Sequence, residues 1–372
     1  MGKALFFINS SIPIYPGGNT AGGVEVFVAT LATALANIGW TCDIVASKDS
    51  KSYISGVNII PLNVDSTVLK MRNGHTASFD WKYYMELTKN LNVDSYDLIH
   101  VDNHYFPLLK YLNDTVSSKK IVNYYQILPR WGDCRQYATE AQKMENVYHL
   151  AISDLIKSKW GELGIDLTYF PYGFIDGMVG MPKEIDYNHF VISARIVPEK
   201  KVDLFAKLFK QIKTKGTVIG YDTGHPHTAK LLKALEGNEY VIWNKKYSGS
   251  QALLYSYLSR YNPIMTSLAT IEALGITPIE GFMFGLPCVT IVRPQSAISE
   301  TISRGEELYN HNNEFIITSL GGYAADDKSF AKMIQYIQEF KPFDPVKIRK
   351  HWEDHYHIKS HVERLLSLID GK

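Results

Sequence analysis

Two glutamates eight positions apart, Glu272 and Glu280, are the residues whose types and spacing most clearly predict chemistry. Gly275 and Pro278 lie between them in the segment TSLATIEALGITPIEGFMFGLPCV. Proline is favoured in the first turn of a helix, so a helix is predicted over 278–284, with Glu280 in its first turn near the positive end of the helix dipole. Glu272 is then predicted on the preceding loop, with both carboxylates facing a cleft. The alternative is a strand–loop–helix unit whose two glutamates are simply solvated.

The same region predicts a site for an anion. The N–H groups of Gly275, Ile276 and Thr277 would point outward at the start of the helix, where free N–H donors and the helix dipole attract negative charge. Upstream in the sequence, Arg195 and Lys200 offer a guanidinium fork and an ammonium group, both suited to phosphate oxygens. In the alternative interpretation, these two side chains are ordinary surface charges.

Short apolar runs alternate with helical patterns and would position these residues. In the first half, strands are predicted at 6–8, 42–46, 58–60, 97–101, 120–125 and 150–152, and helices at 24–38, 106–112 and 155–163, the last capped by Ser153. After a loop at 171–188, strands are predicted at 189–193, 216–220, 240–243, 264–266 and 287–292, and helices at 202–213, 227–235, 251–259 and 278–284. This alternation predicts two doubly wound domains with mainly parallel sheets, whose ligands bind at the carboxyl ends of the strands.

Composition excludes several classes of protein. The chain of 372 residues has room for two domains, and its net charge of +1 excludes attachment to nucleic acid by bulk charge. Its three cysteines are far apart and form neither a disulfide framework nor a metal-ligand pattern, which favours a reducing compartment. No apolar run approaches the roughly 18 residues of a membrane span, and no signal peptide is apparent. A cytoplasmic location is therefore expected, with peripheral membrane contact left open.

The segment with the two glutamates resembles the E-x7-E motif of GT-B glycosyltransferases, especially the retaining enzymes of glycosyltransferase family 4. The spacing of Gly275, Pro278, Gly285 and Pro287 matches as well. The resemblance implies that the first glutamate contacts the donor sugar, that the second holds the ribose of the nucleotide, and that the main chain between them binds the donor. The residues so assigned are Glu272, Leu274, Gly275, Ile276, Thr277 and Glu280.

A second segment, 190–203, resembles the family's strand followed by Gly-Arg, a "vPeKG" turn and a helix. The resemblance implies that Arg195 and Lys200 grip the donor diphosphate. Ala194 and Lys201 stand where the family usually has glycine, which changes the freedom of the loop more than its charge.

The loop at 16–25 resembles the family's "GG-aliphatic-E" loop, which implies that Gly22 and Gly23 approach the donor phosphate or the acceptor. Smaller matches at 97–104, 151–153, 171–176 and 299–302 follow in the family's order.

The resemblance fails at a histidine that many members carry near the transferred sugar. Gln126 is the preferred match here and Tyr125 the alternative; a glutamine amide can bond a sugar hydroxyl but cannot act as an acid or base. His104 is a candidate replacement, or else a histidine that satisfies a buried loop. Arg130 and His100 are assigned to the acceptor side. No metal is assigned to His225 and His227, which lack a carboxylate or cysteine at suitable spacing.

The resemblance implies an α/β GT-B fold of two Rossmann-like, doubly wound domains facing across a cleft. Residues 1–176 are expected to form the acceptor domain and 177–345 the nucleotide-sugar donor domain, while 346–372 form a helix that crosses back onto the first. The implied activity is transfer of a hexose or pentose, with retention, from a nucleotide-diphosphate donor, a UDP-sugar above all. The acceptor would be a glycan, a lipid-linked sugar, a small molecule or modified DNA. No permanent cofactor, no required metal and a monomer or homodimer are expected.

Three other interpretations stay open at this point. One keeps the reaction and makes the acceptor a hydroxymethylated or otherwise modified base, as in phage DNA glucosyltransferases, which share the GT-B plan. The second is a non-catalytic GT-B sugar-binding subunit, which the missing histidine favours and the four charged donor-site residues oppose. The third is a GT-B epimerase or phosphorylase; the phosphorylase would need a cofactor-binding lysine that the sequence does not identify.

Overall fold

The computed structural model describes residues 2–8, 13–18, 20, 23–62, 81–102, 106–126, 128–129, 134–178, 183–220, 222, 224–247 and 251–371. The chain divides into two compact units. The first unit comprises Met1–Ile175 together with His357–Lys372, and the second unit comprises Asp176–Tyr356. None of the helices described combines the length and the apolar character that crossing a bilayer requires.

A seven-stranded parallel sheet forms the centre of the first unit, with the strand order β3-β2-β1-β4-β5-β6-β7. Its strands are β1 (Lys3–Phe7), β2 (Thr41–Ser47), β3 (Val57–Leu62), β4 (Leu98–Asp102), β5 (Ile121–Tyr125), β6 (Val147–Ala151) and β7 (Thr168–Tyr169). The helices are α1 (Gly23–Asn37), α2 (Trp81–Lys89), α3 (Phe106–Thr115), α4 (Cys134–Ala141) and α5 (Asp154–Gly161). Nearly all residues of β1 and β2 are buried, which fits a sheet that is covered on both faces.

The second unit contains an eight-stranded sheet with the order β10-β9-β8-β11-β13-β17-β16-β15 and a small parallel pair, β12 with β14. The strands are β8 (Asp186–Ser193), β9 (Lys215–Ile219), β10 (Val241–Trp243), β11 (Pro263–Ser267), β12 (Ile271–Glu272), β13 (Cys288–Ile291), β14 (Gln295–Ser296), β15 (Glu307–His311), β16 (Phe315–Thr318) and β17 (Gly321–Ala324). The helices are α6 (Val202–Ile212), α7 (His227–Leu235), α8 (Gln251–Tyr261), α9 (Ile276–Met283), α10 (Ile298–Ser303), α11 (Asp327–Phe340) and α12 (Pro345–His355). Among the strands described, the antiparallel pairs are β15–β16 and β16–β17. Two doubly wound units with mainly parallel sheets confirm the predicted fold class.

The end of the chain differs from the single helix expected over 346–372. It forms α12 in the second unit and a separate helix, α13 (Ile358–Ile369), in the first unit. The break lies at His357, which is extended and whose side chain caps α13 by accepting a hydrogen bond from the N–H of Lys359. The N–H of Ile358 donates to the carbonyl of Phe174 at 2.9 Å, so a tertiary contact takes over where the longer helix was expected.

His361 anchors α13 inside the first unit. Its Nδ1 donates to the carbonyl of Pro171 at 2.9 Å, which leaves Nε2 to accept from the hydroxyl of Tyr124 at 3.1 Å. Burial lowers the pKa of His361 to about 3, so the ring is neutral at ordinary pH. The aromatic core beside it includes Phe27 stacked on Tyr172, with ring centroids 3.9 Å apart.

The order of the second sheet reverses between β8 and β11, which are neighbours in space. The loops that leave the carboxyl ends of two such strands diverge and open a crevice, the usual ligand position in doubly wound sheets. Arg195 and Lys200 follow β8, and Glu272 follows β11. The fold thus brings the predicted donor-site residues to one edge of this sheet.

Candidate functional site

The loop after β8 presents the two basic residues in different settings. Arg195 is exposed and, within the described ranges, forms no ion pair. A single 3-10 turn, Pro198–Lys200, follows, and Lys201 then adopts a left-handed conformation (φ 53°, ψ 36°) at the start of α6. Arg195 is therefore available to an incoming anion, whereas Lys200 is held by a turn of defined geometry.

Lys200 and Glu272 form an ion pair at the centre of this site. Their side chains are only 18% and 23% exposed, so the pair is partly shielded from water. The two loops are also tied through main chain, because the N–H of Thr270 donates to the carbonyl of Glu199 at 2.8 Å. Glu272 lies in the short strand β12, rather than on the open loop expected, and its carbonyl accepts from the N–H of Ala297 at 2.8 Å.

Helix α9 starts at Ile276, two residues earlier than predicted. Gly275 precedes it with φ 85°, and a Cβ there would lie 2.2 Å from Cδ1 of Ile298, so both conformation and space require glycine. The first N–H groups of a helix have no acceptor inside it, and in α9 these belong to Ile276 and Thr277. The side chain of Leu274 is buried in the core, so this residue could serve a ligand only through its main chain.

Glu280 is buried, being 5% exposed, so the solvated carboxylate of the alternative interpretation is wrong at this position. It lies in the second turn of α9, not in the first turn as expected, because the helix starts earlier. Its Oε1 accepts hydrogen bonds from Nε2 of Gln251 and from the hydroxyl of Tyr255, the latter at 3.1 Å. Burial raises the pKa of Glu280 to about 7, although these two hydrogen bonds act in the opposite direction.

The contacts of Gln251 and Tyr255 with Glu280 were not predicted. Both residues lie in a segment predicted to be helical, but nothing in their types or spacing points to a particular carboxylate on another helix. Their i, i+4 spacing places them on the same face of α8, and only the packing of α8 against α9 shows what that face contacts.

In the first unit, the structure places Gln126 and Gly23 at element ends. Gln126 directly follows β5 and is 8% exposed, and Gly23 is the first residue of α1. Tyr125, the alternative match to the family histidine, is buried, and its hydroxyl lies 3.0 Å from Nδ1 of His149. Three of the predicted residues lie outside the described residues, namely Gly22, His104 and Arg130.

His100 is a core residue of β4. It is 0% exposed, and its ring centroid lies 5.4 Å from that of Phe6 and 5.0 Å from that of Tyr124. Burial lowers the pKa of His100 to about 3, so the imidazole is neutral. This placement does not fit the acceptor-side role expected of His100, because a residue enclosed among aromatic rings has no surface for a substrate.

The two histidines that were considered for a metal have local partners. Nε2 of His227 lies 3.0 Å from Oδ1 of Asp203, and Nδ1 of His225 accepts from the N–H of His227 at 3.0 Å. Over the described ranges, no group of three or more His, Cys, Asp or Glu side chains could hold a metal ion.

The left-handed conformation of Lys201 makes a prediction about stability. Non-glycine residues in this conformation cost roughly 1–2 kcal/mol, and glycine avoids that cost but loses more backbone entropy on folding. We expect Lys201→Gly to raise the free energy of unfolding by about 0.5–1 kcal/mol in urea denaturation. The control Lys207→Gly, inside α6, should instead lower it by about 1 kcal/mol. A loss of stability in Lys201→Gly would contradict the conformation described.

Comparison with known families gives two matches that lie in different halves of the chain. Residues 21–123 match the family described as Glycosyltransferase Family 4, and residues 181–337 match the family described as Glycosyl transferases group 1. No curated protein matches the chain.

Solved glycosyltransferase structures share the fold over the whole chain at low sequence identity. Sucrose-phosphate synthase from Thermosynechococcus elongatus has a TM-score of 0.71 at 13% identity, covering 100% of this chain and 99% of its own. HepE from Anabaena, solved with UDP-glucose, has a TM-score of 0.66 at 11% identity, covering 100% of both chains. The pneumococcal O-GlcNAc transferase GtfA, solved with UDP and GlcNAc, has a TM-score of 0.66 at 12% identity, covering 100% and 99%. Both family matches are to glycosyltransferases and the solved structures share the fold of the chain, which confirms the predicted resemblance to GT-B glycosyltransferases.

Proposed function

We propose that this glycosyltransferase moves a sugar, with retention, from a nucleotide-diphosphate donor to an acceptor hydroxyl, and that its donor is a UDP-sugar. The observation that carries the proposal is the Lys200–Glu272 ion pair, whose residues lie in the connections that follow β8 and β11, where the order of the second sheet reverses. The pair offers an ammonium group for phosphate and a carboxylate for sugar hydroxyls at one point.

The donor diphosphate is held, in this proposal, by groups of three kinds. Arg195 supplies a guanidinium that is exposed before the donor binds, Lys200 supplies an ammonium, and the start of α9 supplies the N–H groups of Ile276 and Thr277. Negative charge grows on the diphosphate as the bond between the anomeric carbon and the phosphate oxygen breaks. Fixed donors stabilise that charge more than they stabilise the intact donor, which lowers the barrier.

The two glutamates take different roles because their surroundings differ. Glu272 is partly exposed and paired with Lys200, so it can orient the hydroxyls of the transferred sugar while staying close to the diphosphate. Glu280 is buried with its Oε1 already bonded, and we assign it to the ribose hydroxyls. The acceptor oxygen forms the new bond to the anomeric carbon and loses its proton.

Gln126 belongs to the acceptor side in this proposal and bonds a hydroxyl of the sugar or acceptor. Because an amide cannot accept that proton, the departing diphosphate oxygen is assigned as the group that takes it. The acceptor is proposed to be a glycan, a lipid-linked sugar or a small molecule. The uridine base is supported by HepE and GtfA, which were solved with UDP-glucose and with UDP and GlcNAc.

A binding panel tests the donor class. We expect one nucleotide sugar among UDP-, GDP-, ADP- and dTDP-glucose to raise the melting temperature by a few degrees at about 100 times its dissociation constant, because a ligand bound only by the folded protein stabilises it by about 2.7 kcal/mol. The UDP-sugar should give the largest shift and be hydrolysed slowly without an acceptor. A folded protein whose melting temperature responds to none of the four would contradict the proposal.

A further inference from the structure

We propose that Gln251 and Tyr255 are positioning residues, which hold the carboxylate of Glu280 in the orientation that binds the donor. The inference rests on the proposed role of Glu280 at the ribose. It adds two residues on a different helix, α8, which act on the donor only through Glu280.

The hydrogen bonds around Glu280 are divided unequally between its two oxygens. Both Nε2 of Gln251 and the hydroxyl of Tyr255 donate to Oε1. Among the described residues, no hydrogen bond is made to Oε2. One oxygen is thus fixed by α8, and we assign the other to a hydroxyl of the ligand.

The hydroxyl of Tyr255 is itself held in place by packing. A Cβ on Gly177 would lie 2.3 Å from Cε2 of Tyr255, so the ring lies directly against the glycine backbone. On another side, the ring centroid of Phe284 is 5.3 Å away. A ring confined in this way directs its O–H at Glu280 before any ligand arrives, which is preorganisation of the kind that raises affinity.

The pKa of Glu280 is set by burial and by these two hydrogen-bond donors, because the charged groups nearby are paired with one another. Asp176 lies near Tyr255 but is engaged by Arg349, whose Nη1 donates to its Oδ1 at 3.0 Å. Arg349, on α12, also bonds Glu353 at 2.8 Å and the carbonyl of Met283 on α9 at 2.7 Å. The pKa of Tyr255 is raised far above its ordinary value by burial and by Glu280, so the phenol stays a hydrogen-bond donor.

The pH at which Glu280 ionises can be followed through donor affinity. It would not change if Gln251 and Tyr255 had a purely structural role. Burial holds its pKa at about 7, and each lost hydrogen bond should raise it further, because both donors favour the charged form. Donor affinity should fall on acidification as Glu280 takes up a proton, and this fall is the acidic limb of the pH profile. In Tyr255→Phe, we expect the midpoint of the acidic limb to move up by about one pH unit. Affinity should fall about fivefold at pH 7 and return to within about twofold of wild type at pH 9, with kcat at saturating donor nearly unchanged.

The experiment measures binding of the four nucleotide sugars named above, by calorimetry between pH 5.5 and 9, and follows the tightest binder through the variants. Gln251→Leu, which removes the other donor, should shift the limb in the same direction. The matched control is Tyr257→Phe on the same helix, whose hydroxyl lies 3.0 Å from Nε2 of His189 and away from Glu280; it should leave the midpoint unchanged. Circular dichroism checks that each variant is folded.

Two kinds of failure are distinguishable. If wild type binds a donor with an acidic limb, Glu280→Gln abolishes that limb, and yet both α8 variants keep the wild-type midpoint, the inference is overturned while the proposed function stands. If wild type binds none of the four donors, or Glu280→Gln retains the full pH dependence, the proposed role of Glu280 is wrong and the inference fails with it.

Discussion

Lys200→Ala is expected to lower kcat/KM for sugar transfer by about 10²–10³-fold, the loss typical of removing one charged donor from a developing anion. The ammonium group of Lys200 lies beside Glu272 at the end of a 3-10 turn, so the substitution removes a cation whose position is defined. The melting temperature should change little, because an ion pair that is partly open to solvent contributes about 1 kcal/mol or less. Initial-rate kinetics and thermal denaturation measure the two quantities on the same preparation.

The matched control is Lys207→Ala, which removes the same charge from the exposed face of α6 and should leave kcat/KM unchanged. Glu272→Gln should also be strongly impaired, because the neutral amide no longer pairs with Lys200 or orients sugar hydroxyls as a carboxylate does. Full turnover in purified Lys200→Ala would contradict the assignment of Lys200 to the diphosphate.

Glu280→Gln is expected to stabilise the protein at pH 8 while weakening donor binding. The pKa of Glu280 is raised from 4.5 to about 7, so the folded state holds this proton more tightly than the unfolded chain does. Wild-type stability therefore falls as pH rises from about 4.5 through 7, by roughly 3 kcal/mol at about 1.4 kcal/mol per pKa unit. A glutamine carries no charge at any pH and can still accept from Gln251 and Tyr255, so the variant should avoid this loss.

Urea denaturation at pH 4.5 and at pH 8 measures the effect. The variant should match wild type at the lower pH within about 1 kcal/mol and exceed it by roughly 2–3 kcal/mol at the higher pH. The control Glu363→Gln, at an exposed position on α13, should change the free energy of unfolding by less than about 0.5 kcal/mol at either pH. The account holds that ionised Glu280 destabilises the folded protein and serves to bind a ligand. A variant less stable than wild type at pH 8 would contradict it.

Elements in both units were predictable where local signals and the fold agree. Helix α7 has the predicted bounds, and Ser153 caps α5 by accepting from the N–H of Ile156 at 3.2 Å, as predicted. The strands preceding Arg195 and Glu272 were found from their apolar runs, and their adjacency follows from the topology of a doubly wound sheet.

The deviations arise where tertiary contacts outweigh local pattern. Strand β15 is an edge strand with mostly exposed residues, so it lacks the apolar run by which the inner strands were found. The break at His357 depends on the pairing of Ile358 with Phe174, a contact remote in sequence. The burial of Glu280 depends on α8, whose packing partner cannot be read from spacing.

His100 is a residue whose predicted role depended on tertiary structure that the sequence does not show. Its place in the segment 97–104, which resembles the family's sequence, led to the expected acceptor-side role, yet the side chain lies in an aromatic core. A histidine in a strand can be read as functional or as buried, and only the structure shows which face of the sheet it occupies.

The central claim is that Lys200 and the first N–H groups of α9 hold a donor diphosphate. A crystal structure of the protein with UDP-glucose tests it most directly. We predict diphosphate oxygens within about 3.2 Å of Nζ of Lys200 and of the main-chain nitrogen atoms of Ile276 or Thr277, with the ribose against Glu280. A diphosphate bound elsewhere, with these groups uncontacted and the Lys200–Glu272 pair undisturbed, would contradict the account.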